Sequence, residues 1–187
     1  TRLHPLTETT PKPLLPVGGT PMLERVLASS AAIGEIDQTF IVTNHKFAGP
    51  FSEWLAGYLQ ANPDSHAAII NDGTTCNEDR LGAIGDLQLV IEREAIDDDV
   101  LVIAADNLFT GDLTGFGARC RETKTPVLGV FDVGSLEEAK KYGVVAVDET
   151  GRLISFEEKP AAPQSTLIGI ALYFYPRAAL PEISRYL

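Results

Sequence analysis

The stretch DDDVLVIAADN (97–107) limits what this 187-residue chain can fold into more than any other part of it. An unbroken apolar run, Val100–Ala105, is held between acids and is rich in β-branched residues. It reads as a strand buried on both faces, which happens where helices cover both sides of a parallel sheet. TFIVTN (39–44), HAAIIND (66–72) and PVLGVFDV (126–133) are runs of the same kind. Between them lie segments with apolar residues at helical spacing: one following Thr20-Pro21, then FSEWLAGYLQ (51–60), GAIGDLQLVIERE (82–94) and DLTGFGARCRETK (112–124). SLEEAKKYG (135–143) opens on Ser135 with Glu138 three residues on, the pattern of a capping box. Strands alternating with helices predict an α/β fold with a mostly parallel sheet. After residue 143 the rhythm changes. VVAVDETGRLISFEEKP reads as strand, tight turn, strand, and TLIGIALYFYP as one more strand, so the C-terminal portion is expected to be antiparallel. The length and the absence of any linker or repeat predict a single domain over residues 1–187.

Charge narrows the function. The chain carries a formal −11 at pH 7. That argues against nucleic acid and against an anionic membrane as partners, while leaving room for a local basic pocket. Cys76 and Cys120 are too few for a disulfide framework. With no apolar run of membrane-spanning length and no signal-peptide pattern at the start, a cytoplasmic protein is expected. Homo-oligomerisation is left open.

TRLHPLTETTPKPLLPV (1–17) holds four prolines, one arginine and one lysine. Each proline locks φ and removes an N–H, so the stretch is a loop, and a stiff one. Stiffness allows Arg2 and Lys12 to be held at small ordering cost. In open α/β sheets, ligands sit beyond the carboxyl ends of parallel strands. Asp106 stands at such an end, where it either holds Mg²⁺ or caps a turn with Asn107. The loop 71–82 and the proline-rich loop are expected to converge on the same crevice.

These segments together resemble the sugar-1-phosphate nucleotidyltransferases. TRLHPLTETTPKPLLPV is similar to the second half of their signature, G-x-G-T-R-L-x-P-L-T-x-x-x-P-K-P-L-L-P-V. LVIAADNLF resembles their metal-binding strand, KYGVVAVDETGRLISFEEKP their sugar-binding segment, and IGIALYFYP the strand that follows. The matches occur in family order, and the glucose-1-phosphate thymidylyl- and uridylyltransferases resemble the chain most. The resemblance implies the three-layer, Rossmann-like nucleotidyltransferase fold. It also implies transfer of a nucleotidyl group from an NTP, UTP or dTTP, to a sugar 1-phosphate, glucose 1-phosphate, with release of pyrophosphate. By motif, Arg2 would stabilise charge on the triphosphate, Lys12 would bridge the reacting phosphates and Asp106 would hold Mg²⁺. Tyr142, Gly143, Glu158, Lys159 and Gly169 would line the sugar-phosphate site. Asn77 and Gly82 would meet the nucleobase, although TTCNEDRLGAIGD stands where the thymidylyl branch has Q-x-x-x-x-G-L-A-x-A. The family's glycine-rich strand and loop would precede Thr1, and its second metal-binding Asp would follow Leu187. A non-catalytic, regulatory member of the family is the alternative. Such members tend to lose the Arg, Lys or Asp that this chain has as Arg2, Lys12 and Asp106, so the enzyme is the favoured reading.

Overall fold

The computed structural model describes residues 6–34 and 36–187, so Arg2 lies outside the described residues. The proline-rich loop closes into a 3-10 turn at Lys12–Leu14, in which Leu14 N–H donates to Pro11 O at 2.9 Å and Leu15 N–H to Lys12 O at 3.1 Å. A two-residue hairpin follows, β1 (Pro16–Val17) against β2 (Thr20–Pro21). Gly18 and Gly19 make its turn at φ +59° and +83°, values that cost glycine little and other residues much. Thr20-Pro21 reads in sequence as a helix N-cap and first helical residue, but Thr20 is drawn into a strand pair, and helix α1 (Met22–Ser30) begins one residue later with Pro21 as N-cap. Arg25 of α1 fastens the hairpin, Nε donating to Val17 O at 2.8 Å.

The chain then runs β3 (Thr39–Thr43), α2 (Ala48–Ala61), β4 (Ala67–Asn71), α3 (Gly82–Arg93), β5 (Val100–Ile103), α4 (Thr114–Glu122) and β6 (Val127–Asp132). Next come α5 (Leu136–Ala139), β7 (Gly143–Val147), β8 (Leu153–Glu158), β9 (Leu167–Tyr175) and α6 (Leu180–Tyr186). The α/β class with parallel and antiparallel strands is the one expected, but a mostly parallel sheet is not what the described ladders form, because β5 and β6 both pair antiparallel with β9. β3 and β4 pair in parallel, from Thr39↔Ala67 to Thr43↔Asn71. The other described ladders are antiparallel, and all but the β1–β2 hairpin belong to a five-stranded sheet organised by β9. This nine-residue strand pairs with β5, β6 and β7, and β8 adds to β7. β9 is long enough to serve different neighbours along its length, so β5 finds an antiparallel partner in it (Val100↔Tyr175 to Ile103↔Leu172). The β7–β8 turn is closed by Asp148, whose carboxylate accepts from Thr150 N–H, Thr150 Oγ1–H and Arg152 N–H. Those bonds hold the Asp148 carboxyl below its usual range. The capping box at Ser135 is not formed: α5 has Ser135 as N-cap without a side-chain bond, and Glu138 pairs with Lys141 at 2.6 Å instead. A full charge in reach outcompetes a reach back to one N–H.

One core cluster decides where the functional side chains stand. Leu23, Ile41 and Phe51 are buried together, and around them pack Leu14, Leu27, Phe47, Trp54, Ile69 and Ala105. Leu14 lies two residues after Lys12, and Ala105 one before Asp106. Burial of such side chains is worth about 1.5–3 kcal/mol each for the larger ones, so both loops are anchored by the core itself. Trp54 Nε1 donates to Glu24 Oε1 at 2.9 Å and ties α2 to α1.

α4 seats on the C-terminal end of α1 through a glycine. A Cβ at Gly117 would fall 1.9 Å from Ile33 O and 2.6 Å from Ile33 C, both backbone atoms that cannot turn aside. Arg121 Nη1 donates to that same carbonyl at 2.6 Å. Gly117→Ala is therefore expected to destabilise the protein by about 2–3 kcal/mol despite alanine's better helix propensity, a loss that urea denaturation reads directly.

Candidate active site

Lys12 and Asp106 are 94 residues apart in sequence, and their side chains meet: Lys12 Nζ donates to Asp106 Oδ2 at 2.6 Å. Each arrives by its own route. Lys12 is presented by the 3-10 turn anchored through Leu14, and Asp106 by the turn after β5, in which Asn107 N–H donates to Ala104 O at 3.1 Å. Both side chains are a little under half exposed, 43% and 46%. An ion pair that wet contributes about 0–1 kcal/mol, so Lys12 can exchange the carboxylate for a phosphate oxygen at little cost. Asp106 fits a hard cation of the Mg²⁺ kind. Among the described residues it is not part of any three-ligand acidic or histidine cluster, and Mg²⁺ shared with phosphates needs only one or two protein carboxylates.

From Asp106 the contacts continue to β9. Ala104 N–H donates to Ala171 O at 3.0 Å, and the Asn107 side-chain amide to Ile170 O. Asn107 is thus a strut between the β5 turn and β9, and the turn-capping reading of Asp106 is replaced by the ion pair. Ala171 has φ +50°, a strained value for alanine, where the register between β6 and β9 shifts. Next to it the residues expected to line a sugar site come together across three strands. Glu158 on β8 lies opposite Gly143 on β7, and the Val144↔Ile168 pairing sets Gly143 opposite Gly169 on β9. Lys159, at φ +47°, donates its N–H to Tyr142 O at 2.9 Å, and its Nζ contacts Glu158 Oε1 at 2.5 Å. Lys12 and Asp106 thus form one pair, and Tyr142, Gly143, Glu158, Lys159 and Gly169 a second set; β9 links the two through the bonds from Ala104 and Asn107.

Asn77 and Gly82 lie on the segment that leads from β4 into α3; among the described residues no hydrogen bond or ion pair joins them to either set. Their loop is folded on itself. Asp79 accepts from Thr75 N–H, Thr75 Oγ1–H and Cys76 N–H, bonds that hold its carboxyl low, and Asn77 is exposed within this turn. Gly82, at φ +74°, starts α3 and lines a cleft of about 240 Å³ with Asn44, Asp72, Thr74, Arg80 and Asp86. Asp86 was not legible as a site residue. It lies one helical turn after Gly82, its Oδ1 is buried without a hydrogen-bond partner, and burial, with Asp72 adding to it, pushes its carboxyl above the usual range. The i, i+4 spacing from Gly82 is the signal that would have found it.

A lysine and a carboxylate meet beyond the end of β5 in an α/β fold, and β9 joins them to a glycine row that ends in Glu158 and Lys159. Comparison with known proteins gives the class. The whole of residues 1–187 matches the nucleotidyl transferase family, and the chain belongs to it. It is 28% identical over 197 residues to a UTP–glucose-1-phosphate uridylyltransferase of Synechocystis, covering 100% of this chain and 48% of that protein. It is 31% identical over 175 residues to a glucose-1-phosphate thymidylyltransferase of Actinoplanes, covering 93% of this chain and 54% of the relative. The chain spans about half the length of these curated relatives. A crystal structure from Bacillus anthracis, described as a glucose-1-phosphate thymidylyltransferase with sucrose, superposes over 100% of this chain and 71% of its own. Its TM-score of 0.77 at 22% identity establishes the shared fold. Among the described residues no helix is long and apolar enough to cross a membrane.

Proposed function

We propose that this chain is the nucleotidyltransferase domain, residues 1–187, of a sugar-nucleotide pyrophosphorylase that works in the cytoplasm. A phosphate oxygen of a sugar 1-phosphate attacks the α-phosphorus of an NTP. The bond from that phosphorus to the bridging oxygen breaks, and pyrophosphate leaves with the electron pair. The observation that carries this reading is the 2.6 Å contact between Lys12 and Asp106, two residues brought together from 94 positions apart. Lys12 holds the α-phosphate and the sugar phosphate, and Arg2 the departing pyrophosphate. Asp106 would hold Mg²⁺, which supplies positive charge to the phosphates as they react. Glu158 accepts from sugar hydroxyls, Lys159 meets the sugar phosphate, and Tyr142, Gly143 and Gly169 shape the floor. Little covalent chemistry is asked of the protein; positioning and charge do the work. For the nucleotide, the Asn77 amide offers both a donor and an acceptor, which suits the N3–H and a carbonyl of uracil or thymine beside Gly82. UTP or dTTP and glucose 1-phosphate are the substrates this favours.

Pyrophosphate release from a panel of four nucleotides and several hexose 1-phosphates tests the reading. Release with UTP or dTTP and glucose 1-phosphate is expected. A preference of about tenfold or more for a purine nucleotide overturns the roles of Asn77 and Gly82 only. No release with any pair, from folded full-length protein, overturns the reaction and leaves the non-catalytic reading.

A further inference from the structure

Gly143 and Gly169 do not owe their identity to backbone conformation, because neither is among the positive-φ residues. What they make room for is a ring. A Cβ at Gly143 would meet Phe156 Cζ at 2.8 Å, and one at Gly169 would meet Phe156 Cε2 at 3.1 Å. Phe156 stands on β8 opposite Val145, on the same sheet face as Glu158, and its edge crosses both glycines. The ring nevertheless remains 51% exposed. An aromatic side chain held over a glycine floor, with its outer surface in water, gains little from burial where it stands. At one end of this surface, on the next same-face position, is the Glu158 carboxylate, with Lys159 Nζ against it at 2.5 Å.

We propose that Phe156 is a sugar-positioning residue: the apolar C–H face of a hexose 1-phosphate stacks on its ring while hydroxyls donate to Glu158. The inference rests on the reaction proposed above and adds a residue to it. A hexose ring has one face lined by C–H groups and an equatorial rim of hydroxyls. Ring and carboxylate side by side match those two features, and the ammonium of Lys159 matches the phosphate. A nucleobase would also stack on Phe156, but its edge offers one or two donors rather than a rim of them, so Glu158 favours the sugar. The glycines shape the floor in this way: without side chains, they let the ring lie low enough for a sugar to fit above it.

The test compares wild type, Phe156→Ala, Phe156→Leu and Phe156→Trp in the full chain, by calorimetric titration with glucose 1-phosphate and separately with inorganic phosphate. Phe156→Ala is expected to weaken glucose 1-phosphate about tenfold, to leave inorganic phosphate and the nucleotide KM within twofold, and Phe156→Trp to restore the sugar affinity. Phe156→Leu keeps apolar bulk without the π face, so it decides the matter if the alanine variant does not fold; it too is expected to lose sugar affinity. Sugar affinity unchanged in both Ala and Leu variants, or nucleotide and inorganic phosphate weakened equally, overturns the proposal. These outcomes separate from failure of the reaction itself. Turnover by wild type with unchanged sugar binding in the variants rejects Phe156 alone, and wild type that binds sugar phosphate through Phe156 without releasing pyrophosphate rejects the reaction alone.

Discussion

Asp106→Asn lowers the rate of pyrophosphate release by about a thousandfold, roughly 4 kcal/mol of transition-state stabilisation, while the protein stays folded. The two halves of this expectation have different causes. Activity collapses because the neutral amide binds a divalent cation poorly and removes negative charge from the carboxylate paired with Lys12. Stability hardly changes, because the ion pair that is lost is close to half exposed, and such pairs contribute about 0–1 kcal/mol. Initial rates across a Mg²⁺ titration, with circular dichroism as the folding control, read both. A folded variant within tenfold of wild type at every Mg²⁺ concentration would remove Asp106 from the machinery.

Lys12→Ala is expected to lower kcat about a hundredfold and to raise KM by much less. Charge on the transferring phosphoryl group and its neighbours grows towards the transition state, so a lysine that holds them stabilises that state more than the ground state. The variant also frees Asp106 from its partner, which should tighten any cation bound there in the absence of substrate. Steady-state kinetics in both substrates, with direct Mg²⁺ titration of the free protein, separate the two effects. Loss confined to KM, at normal kcat, would make Lys12 a binding residue only.

Much of the site was legible in the chain because loop chemistry is local. Three prolines around Lys12 announce a stiff loop whatever surrounds it, since φ is locked by the residue's own ring. Asp106 after a six-residue apolar run announces a strand end. Glu158 and Gly143 are legible by motif, but their facing positions across β7 and β8 depend on the DETG turn together with a register shift between Ala146 and Val147 that the sequence does not announce. Phe156 stood in the same segment, two residues from Glu158 and hence on its face, yet a lone phenylalanine at period 2 reads as ordinary strand core until the glycines beneath it are seen. Where competing partners were within reach the local signal failed: Thr20 went to a hairpin rather than a helix cap, and Glu138 to Lys141 rather than to Ser135.

The amino-acid order by itself determined the kinds of element, the stiffness of the first loop and the residue types that carry charge, because propensity, proline geometry and periodicity act over a few residues. Only the tertiary structure decided that β5 pairs antiparallel with β9, that Leu14 and Ala105 dock on one core, and that Lys12 therefore meets Asp106 at 2.6 Å. Those outcomes depend on long-range burial and on which strand is long enough to serve several partners. No window of local sequence carries that information, since it lies in how distant apolar faces fit one another.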